Sequence, residues 1–344
     1  LHVMASRALG GAETYAADMM AELHRAGIDQ CVVMPADAPR AAGLAAAGLR
    51  LAPEPLTHRL RFRQRAALGR LIRAEQPDLV HCWMRRAASL LPADRPAPAV
   101  GWFGGYYDPA RFTRCDWLIG VTPDIVAHMV ARGVPAERAV HVPTFPSIVP
   151  APPAARAGLA TPADARVVLA LSRLHPKKGL DTLLHALAAL GAEYHLWLAG
   201  EGELRGALEA LAARLGLGAR VHFLGWRTDR AALLGAADVC VLPSRYDPFG
   251  TVILEAWATR VPLVAAASAG PAATVADGET GLLVPIDDAP ALAAALRRAA
   301  EDTALRTRLV AAGHAAYVRD YTPERVTARM LAAYRGILGA GGPG

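Results

Sequence analysis

The sequence predicts an α/β chain of two doubly wound domains facing one another across a cleft, and three observations carry that expectation. Short apolar runs of strand length alternate with longer Ala/Leu-rich stretches of helical period, the grammar of parallel strands joined by right-handed crossovers. The alternation occurs twice, on either side of a Pro- and Ala-rich stretch, TFPSIVPAPPAARAGLATPAD, at 144–164, which reads as the linker. A chain of 344 residues is long enough for two domains of ordinary size.

In chain order, Leu1-His-Val-Met reads as the middle of a strand, so the natural start is expected to have been trimmed. Strands are then expected in CVVM (31–34), DLVHCW (78–83), AVGWF (99–103), WLIGV (117–121) and AVHVP (139–143). Past the linker come RVVLALS (166–172), YHLWLAG (194–200), RVHFLG (220–225), DVCVLP (238–243), PLVAA (262–266) and GLLVP (281–285). A last helix is expected over about 322–338, carrying Met330, Leu331 and Tyr334 behind Tyr321, with Gly339 to Gly344 as a frayed tail. In such folds ligands bind at the carboxyl ends of the strands, so chemistry is expected in the loops that follow them.

Composition narrows the class. Apolar residues make up 53% of the chain and aromatics 6%, so Ala, Leu and Val fill the cores. No apolar run reaches the length of a membrane span, and no signal peptide opens the chain. Cys31, Cys82, Cys115 and Cys240 lie singly in strand-like segments without metal-type spacing, as buried thiols of a reducing compartment do. A soluble, cytoplasmic protein is expected. The net charge of +6 is modest but unevenly spread. RLRFRQRAALGRLIR, at 59–73, sets Arg59, Arg61, Arg63, Arg65, Arg70 and Arg73 among Leu60, Phe62, Leu68, Leu71 and Ile72. That is a basic amphipathic helix of the kind that lies on anionic lipid, the competing reading being an ordinary solvated helix. Nucleic acid is not an expected partner, because neither an aromatic-interleaved basic patch nor a helix-turn-helix pattern accompanies it.

Four motifs carry chemistry. Gly10-Gly11-Ala12-Glu13 follows the first strand and opens a helix through about Arg25. Adjacent glycines permit close backbone approach and helix amino ends attract anions, though a plain tight turn reads the same way. Ser172-Arg173-Leu174-His175-Pro176-Lys177-Lys178-Gly179 places Arg173 and Lys178 across a Pro-containing turn, where a planar fork and a point charge suit a diphosphate; two solvated surface charges are the alternative. Gly200-Glu201-Gly202-Glu203-Leu204-Arg205-Gly206 mimics a dinucleotide fingerprint, but its last glycine comes one residue late and no acid ends the next strand to hold a ribose. Nicotinamide binding is therefore rejected. SRYDPFGTVILEAWA, at 244–258, keeps Asp247 among turn formers and Glu255 inside an apolar helix that begins near Gly250-Thr251. A lone buried carboxylate costs several kcal/mol unless paired or hydrogen-bonded. The two acids bracket a helix end whose amides near Gly250, Thr251 and Val252 are expected to point free, and sugar hydroxyls on either side of a diphosphate would satisfy them.

With those residues in hand, the sequence resembles the retaining nucleotide-sugar glycosyltransferases of the GT-B fold, family four. The resemblance runs over essentially the whole chain: Gly10-Gly11-Ala12-Glu13, Asp78-Leu-Val-His81, Gly133-Val-Pro135, Ser172-Arg173-Leu174 to Lys178-Gly179, Gly200-Glu-Gly202, Phe223-Leu-Gly225-Trp226 and Asp277-Gly278-Glu-Thr-Gly281-Leu-Leu-Val-Pro285. It implies Rossmann-like domains, 1–148 binding the acceptor and 149–322 the nucleotide sugar, with 323–344 returning to the first. It further implies that Asp247 meets the donor sugar, Glu255 the ribose, and Arg173 and Lys178 the departing diphosphate, with Gly11 approaching from the other domain. Gly202, Gly225, Trp226, Phe249, Gly250, Thr251 and Val252 complete the implied donor site; Tyr106 and Tyr107 are expected on the acceptor side.

Three departures stand out. Asp247 replaces the usual glutamate, Ala273 stands where many relatives carry an acid, and Trp102-Phe-Gly104-Gly105-Tyr106-Tyr107-Asp108 replaces a His-bearing loop. The implied reaction is a metal-independent front-face transfer, in which the leaving phosphate takes the acceptor's proton, to a glycan or lipid-linked acceptor such as lipopolysaccharide core or exopolysaccharide. No cofactor is expected beyond the donor, for which uridine diphosphate is the commonest base in the family, and no Asp-x-Asp metal clamp is present. A sugar epimerase or a non-catalytic nucleotide-sugar-binding protein is the rival reading. Peripheral attachment at the inner face of the cytoplasmic membrane is expected through 59–73.

Overall fold

The computed structural model describes residues 1–8, 10–57 and 59–340. It divides into two units, Leu1–Ser147 with the chain from Thr322 onward, and Ile148–Tyr321. In the first, strands β1 (His2–Met4), β2 (Cys31–Val33), β3 (Arg50–Leu51), β4 (Val80–Trp83), β5 (Ala99–Phe103), β6 (Trp117–Gly120) and β7 (Ala139–His141) form one sheet in the order β3-β2-β1-β4-β5-β6-β7. In the second, β8 (Arg166–Leu171), β9 (Tyr194–Ala199), β10 (Val221–Gly225), β11 (Val239–Leu242), β12 (Leu263–Ala266) and β13 (Leu282–Val284) run in the order β10-β9-β8-β11-β12-β13. Every strand pair is parallel, with Val3 opposite Cys82 in one sheet and Cys240 opposite Leu169 in the other.

Helices cover both faces, so the central strands read as unbroken apolar runs rather than alternating ones. All six residues of β9 and all four of β4 and β11 are buried. The core of the second unit gathers Leu183, Leu187, Tyr194, Leu196, Val241 and Leu296, and Trp83, Phe103, Met19 and Met20 fill the first. The last helix, Pro323–Ala340, belongs to the first unit and packs on the helix Gly11–Arg25. There the Tyr334 hydroxyl meets His81 Nδ1 at 2.6 Å, while His81 stacks on Trp83 with ring centres 4.1 Å apart. Burial holds the His81 ring neutral, its pKa pushed down to about 3.

Several elements differ from the sequence expectation. Gly339 lies inside the last helix, which its apolar inner face carries through Ile337, and the rest of the expected tail, 341–344, lies outside the described residues. The basic helix runs Arg61–Glu75, and its apolar stripe faces its own unit: Leu68 and Ile72 are fully buried. Leu71 is half-buried, and Leu60 and Phe62, 50% and 63% exposed, are the large apolar side chains left for an outside surface among the described residues of this segment. Among the described residues no helix is long and apolar enough to cross a membrane.

Candidate active site

In both sheets the strand order reverses beside the first strand, so neighbouring loops leave the sheet in opposite directions and open a crevice at that point. In the second unit the reversal lies between β8 and β11. The loop leaving β8 carries Arg173 and Lys178, and the loop leaving β11 carries Asp247, so the topology brings together residues more than sixty positions apart. Lys178 Nζ donates to Asp247 Oδ2 at 2.8 Å.

Backbone packing fixes the two loops. Gly200 adopts a φ of 155°, and a Cβ there would stand 1.9 Å from Ser172 O. At Gly202 a Cβ would stand 2.3 Å from Leu174 O. Both glycines thus let the chain around Arg173 lie directly against the β9 exit, where the Leu174 amide donates to Glu201 O at 3.0 Å. Lys178 closes a short 3-10 turn, Pro176–Lys178, whose first amide donates to His175 Nδ1 at 3.1 Å. Arg245, which sequence reasoning passed over, ties that turn to the β11 loop: its guanidinium donates to Pro176 O at 2.8 Å, Asp181 at 2.7 Å and Asp287 at 2.7 Å. Its signal in the sequence is only a charge among turn formers. Arg173 itself is exposed, and among the described residues no carboxylate pairs with it.

The expectation of free amides at the start of the helix Thr251–Ala258 needs correction. Asp247 Oδ1 accepts the Gly250 amide at 2.7 Å and, more weakly, the Phe249 amide at 3.3 Å. Aspartate is short enough to hold its own backbone two and three residues on, a local bond that a glutamate reaches poorly. Gly250 then turns the chain with φ 80° and ψ 62°, a left-handed conformation glycine adopts without strain. The amides of Thr251 and Val252 remain, because the first helical turn lies ahead of the helix's own hydrogen-bond ladder. Phe249 is buried against Tyr321, with ring centres 6.4 Å apart, rather than presented outward.

Glu255 is 1% exposed, and its partner is a residue that motif reading missed. Arg230, at the start of the helix Arg230–Ala236, pairs with Glu255 Oε1. Its only sequence signal was a position shortly past Gly225-Trp226. Glu255 Oε2 is buried and makes no hydrogen bond among the described residues. Burial pushes the Glu255 carboxyl up to about 7, and the Arg230 charge restrains the rise. Gly225 turns with φ 67°, where a Cβ would stand 3.0 Å from Glu201 Oε1, and Trp226 after it is 59% exposed.

In the first unit, Gly11 is the first residue of its helix, with open space where a Cβ would stand. The loop after β5 sets Tyr106 edge-on to His128, ring centres 5.4 Å apart, while His128 Nε2 donates to Tyr107 O at 2.8 Å. Asp108 caps the following turn through the Ala110 amide at 3.0 Å. Ala273 is exposed on the short helix Ala269–Thr274, whose Gly270 amide donates to Asp247 O at 2.8 Å. Among the described residues no three His, Cys, Asp or Glu side chains are gathered to hold a metal ion.

Comparison with known proteins agrees with this geometry. The model of glycosyl transferases group 1 matches residues 153–315, and that of glycosyltransferase family 4 matches 9–145. The lipopolysaccharide core biosynthesis glycosyltransferase LpsD of Rhizobium meliloti (strain 1021) is 33% identical over 334 residues, 95% of this chain and 96% of LpsD. LpsE of the same organism, described in the same words, is 39% identical over 264 residues, 76% of each chain. Among solved structures, Anabaena HepE in complex with UDP and glucose superposes with a TM-score of 0.81 at 22% identity, covering 97% of this chain and 98% of HepE. WaaG, a glycosyltransferase involved in lipopolysaccharide biosynthesis, gives 0.74 at 19% identity over 97% and 99%. These two likenesses bear on the fold, and the matched family models with the Rhizobium relatives bear on descent: the chain belongs to the family 4, group 1 glycosyltransferases and is built on the GT-B fold.

Proposed function

We propose that this glycosyltransferase is a retaining, metal-independent hexosyltransferase that takes its sugar from a uridine diphosphate donor. The acceptor is a glycan or lipid-linked saccharide of the lipopolysaccharide-core or exopolysaccharide type, reached at the inner face of the cytoplasmic membrane. One observation carries the donor reading. A fully buried acid with one oxygen unpartnered, Glu255, lies one turn inside a helix whose amino end faces the Lys178–Asp247 pair. A ribose hydroxyl donating to Glu255 Oε2 would satisfy the orphaned acceptor, and a diphosphate would then lie toward Lys178, Arg173 and the amides of Thr251 and Val252. The UDP held by HepE and the lipopolysaccharide roles named for LpsD and LpsE support the donor base and the acceptor class.

In the proposed chemistry the bond between the sugar's anomeric carbon and the phosphate oxygen loosens, the acceptor hydroxyl attacks from the same face, and the departing phosphate takes its proton. Fixed positive groups at the phosphates are the main catalytic contribution, acting where charge develops. Asp247 keeps acceptor capacity on Oδ2 beyond its bond to Lys178, while Oδ1 takes the Gly250 and Phe249 amides, since an ionised carboxylate offers about four lone-pair sites. Donor hydroxyls take that capacity, and the shorter acid is fitted to its sugar because it also holds the turn that leads into the helix. Tyr106 and Tyr107 belong to the acceptor side, with Trp226 and Gly225 at the base.

The two acids separate the ends of one donor. Glu255→Gln is expected to weaken binding of bare UDP, whereas Asp247→Asn leaves UDP affinity near the parent's and lowers transfer; the opposite ranking by calorimetry would overturn both roles. The anomeric configuration of the product and turnover in chelator decide retention and metal independence. The arginines of 59–73, with Leu60 and Phe62, support attachment to anionic lipid, at about 1 kcal/mol for each cation near the surface. Equal sedimentation with neutral and anionic vesicles would contradict it.

A further inference from the structure

The first unit holds a second polar cavity, unconnected with the donor residues. Arg61 and Arg65 from the basic helix, and Arg111 and Arg114 from the turn after β5, line a space of about 470 Å³ with Ser89 and Phe62. Among the described residues three of the four guanidinium groups make hydrogen bonds, all to neutral acceptors. Arg61 donates to Ser89 Oγ, Arg65 Nη2 to Ser89 O at 3.2 Å, and Arg114 Nη1 to Leu91 O at 3.3 Å. Among the described residues no carboxylate forms an ion pair with any of the four. Arg65 Nε is buried and makes no hydrogen bond there. Burial, with Arg114 and Arg61 nearby, holds the Arg65 guanidinium below the usual arginine range.

Four uncompensated like charges around one cavity repel one another, and an anion that accepts several N–H bonds would relieve that repulsion. A phosphomonoester fits best, carrying nearly two charges at neutral pH on three oxygens that match the guanidinium fork. The rim says where that phosphate comes from. Phe62 lines the cavity and is 63% exposed, and Leu60 beside it is 50% exposed, apolar side chains aimed outward next to the charge cluster. We propose that this cavity is a headgroup site that takes the phosphomonoester of an anionic lipid, with Phe62 and Leu60 entering the layer around it. The lipid source rests on the membrane reading above; the phosphate site itself rests on the four arginines.

Sedimentation of the full chain with three vesicle types tests it: phosphatidylcholine alone, and phosphatidylcholine carrying phosphatidylglycerol or phosphatidic acid at matched surface charge. The parent is expected to favour phosphatidic acid, the phosphomonoester, over phosphatidylglycerol by roughly tenfold, the worth of one or two charge-assisted hydrogen bonds. Arg111→Gln/Arg114→Gln, both outside the basic helix, should lose that preference and keep the salt-sensitive attraction that Arg59, Arg63, Arg70 and Arg73 supply. Arg111→Lys/Arg114→Lys keeps the charge without the fork and should lose part of the preference, a comparison that holds even if the glutamine variant folds poorly. An unchanged preference in both variants would overturn the cavity while leaving the membrane reading intact. No charge dependence in the parent, together with no thermal protection by glycerol 3-phosphate, would overturn both. Thermal protection of the parent, but not of the glutamine variant, by soluble glycerol 3-phosphate without any vesicle preference would overturn the lipid source and assign the cavity to a phosphorylated soluble ligand.

Discussion

Replacing Lys178 with alanine is expected to cut turnover about a hundred- to a thousandfold, the usual cost of removing one stabiliser of developing charge. The structure adds a consequence that sequence reasoning missed. Lys178 also neutralises Asp247, whose side chain is 13% exposed, so the variant leaves a half-buried carboxylate with one oxygen unpaired. A stability loss of about 1–3 kcal/mol should accompany the catalytic one. Adding Asp247→Asn removes the stranded charge, so the double variant should regain stability and stay inactive. Arg173→Ala is the cleaner probe: the side chain is exposed, and turnover should fall as steeply with the unfolding midpoint unchanged. Near-normal turnover in either single variant would remove the diphosphate from this loop.

The second large effect is on stability. Glu255 has a folded pKa raised from 4.5 to about 7, so the folded chain holds its proton more tightly than the unfolded one. For an acid shifted upward, stability is greatest at low pH and declines as pH rises between those two values, by about 3 kcal/mol across the window. Arg230 limits that decline. Arg230→Ala should therefore cost little near pH 5, where Glu255 is protonated in the fold, and about 3–5 kcal/mol near pH 8, where a buried charge loses its partner. Urea unfolding at the two pH values reads this directly. Equal destabilisation at both would mean that Arg230 acts through packing rather than charge. Glu255→Gln should flatten the slope.

The alternation of apolar runs with Ala/Leu helices made the sheets legible, because strands buried on both faces need no subtle pattern. β5 was read with its observed ends, Ala99–Phe103, and most other strands to within a residue or two. β3 escaped because two residues, Arg50 and Leu51, at a sheet edge carry no periodicity. The partners of charged residues escaped for a different reason. Arg230 is twenty-five positions from Glu255 and Arg245 more than forty from Asp287, and only the strand order brings them together. Asp247 was legible as an unusual acid, but its hold on the Phe249 and Gly250 amides depends on a turn geometry that the letters Asp-Pro-Phe-Gly allow without requiring. The basic helix was read correctly in charge and too generously in apolar surface, because amphipathic spacing cannot say whether the apolar stripe meets lipid or the chain's own core.

One measurement bears most directly on the donor assignment: calorimetric titration of UDP at about pH 6.5, just below the Glu255 midpoint, in buffers of different ionisation enthalpy. A ribose hydroxyl donating to Oε2 requires the carboxylate form, so binding should release more than half a proton, and affinity should rise roughly tenfold from about pH 6 to 8 before levelling. Glu255→Gln should abolish both. UDP binding without proton release, or with the same release in Glu255→Gln, would contradict the assignment of Glu255 to the nucleotide.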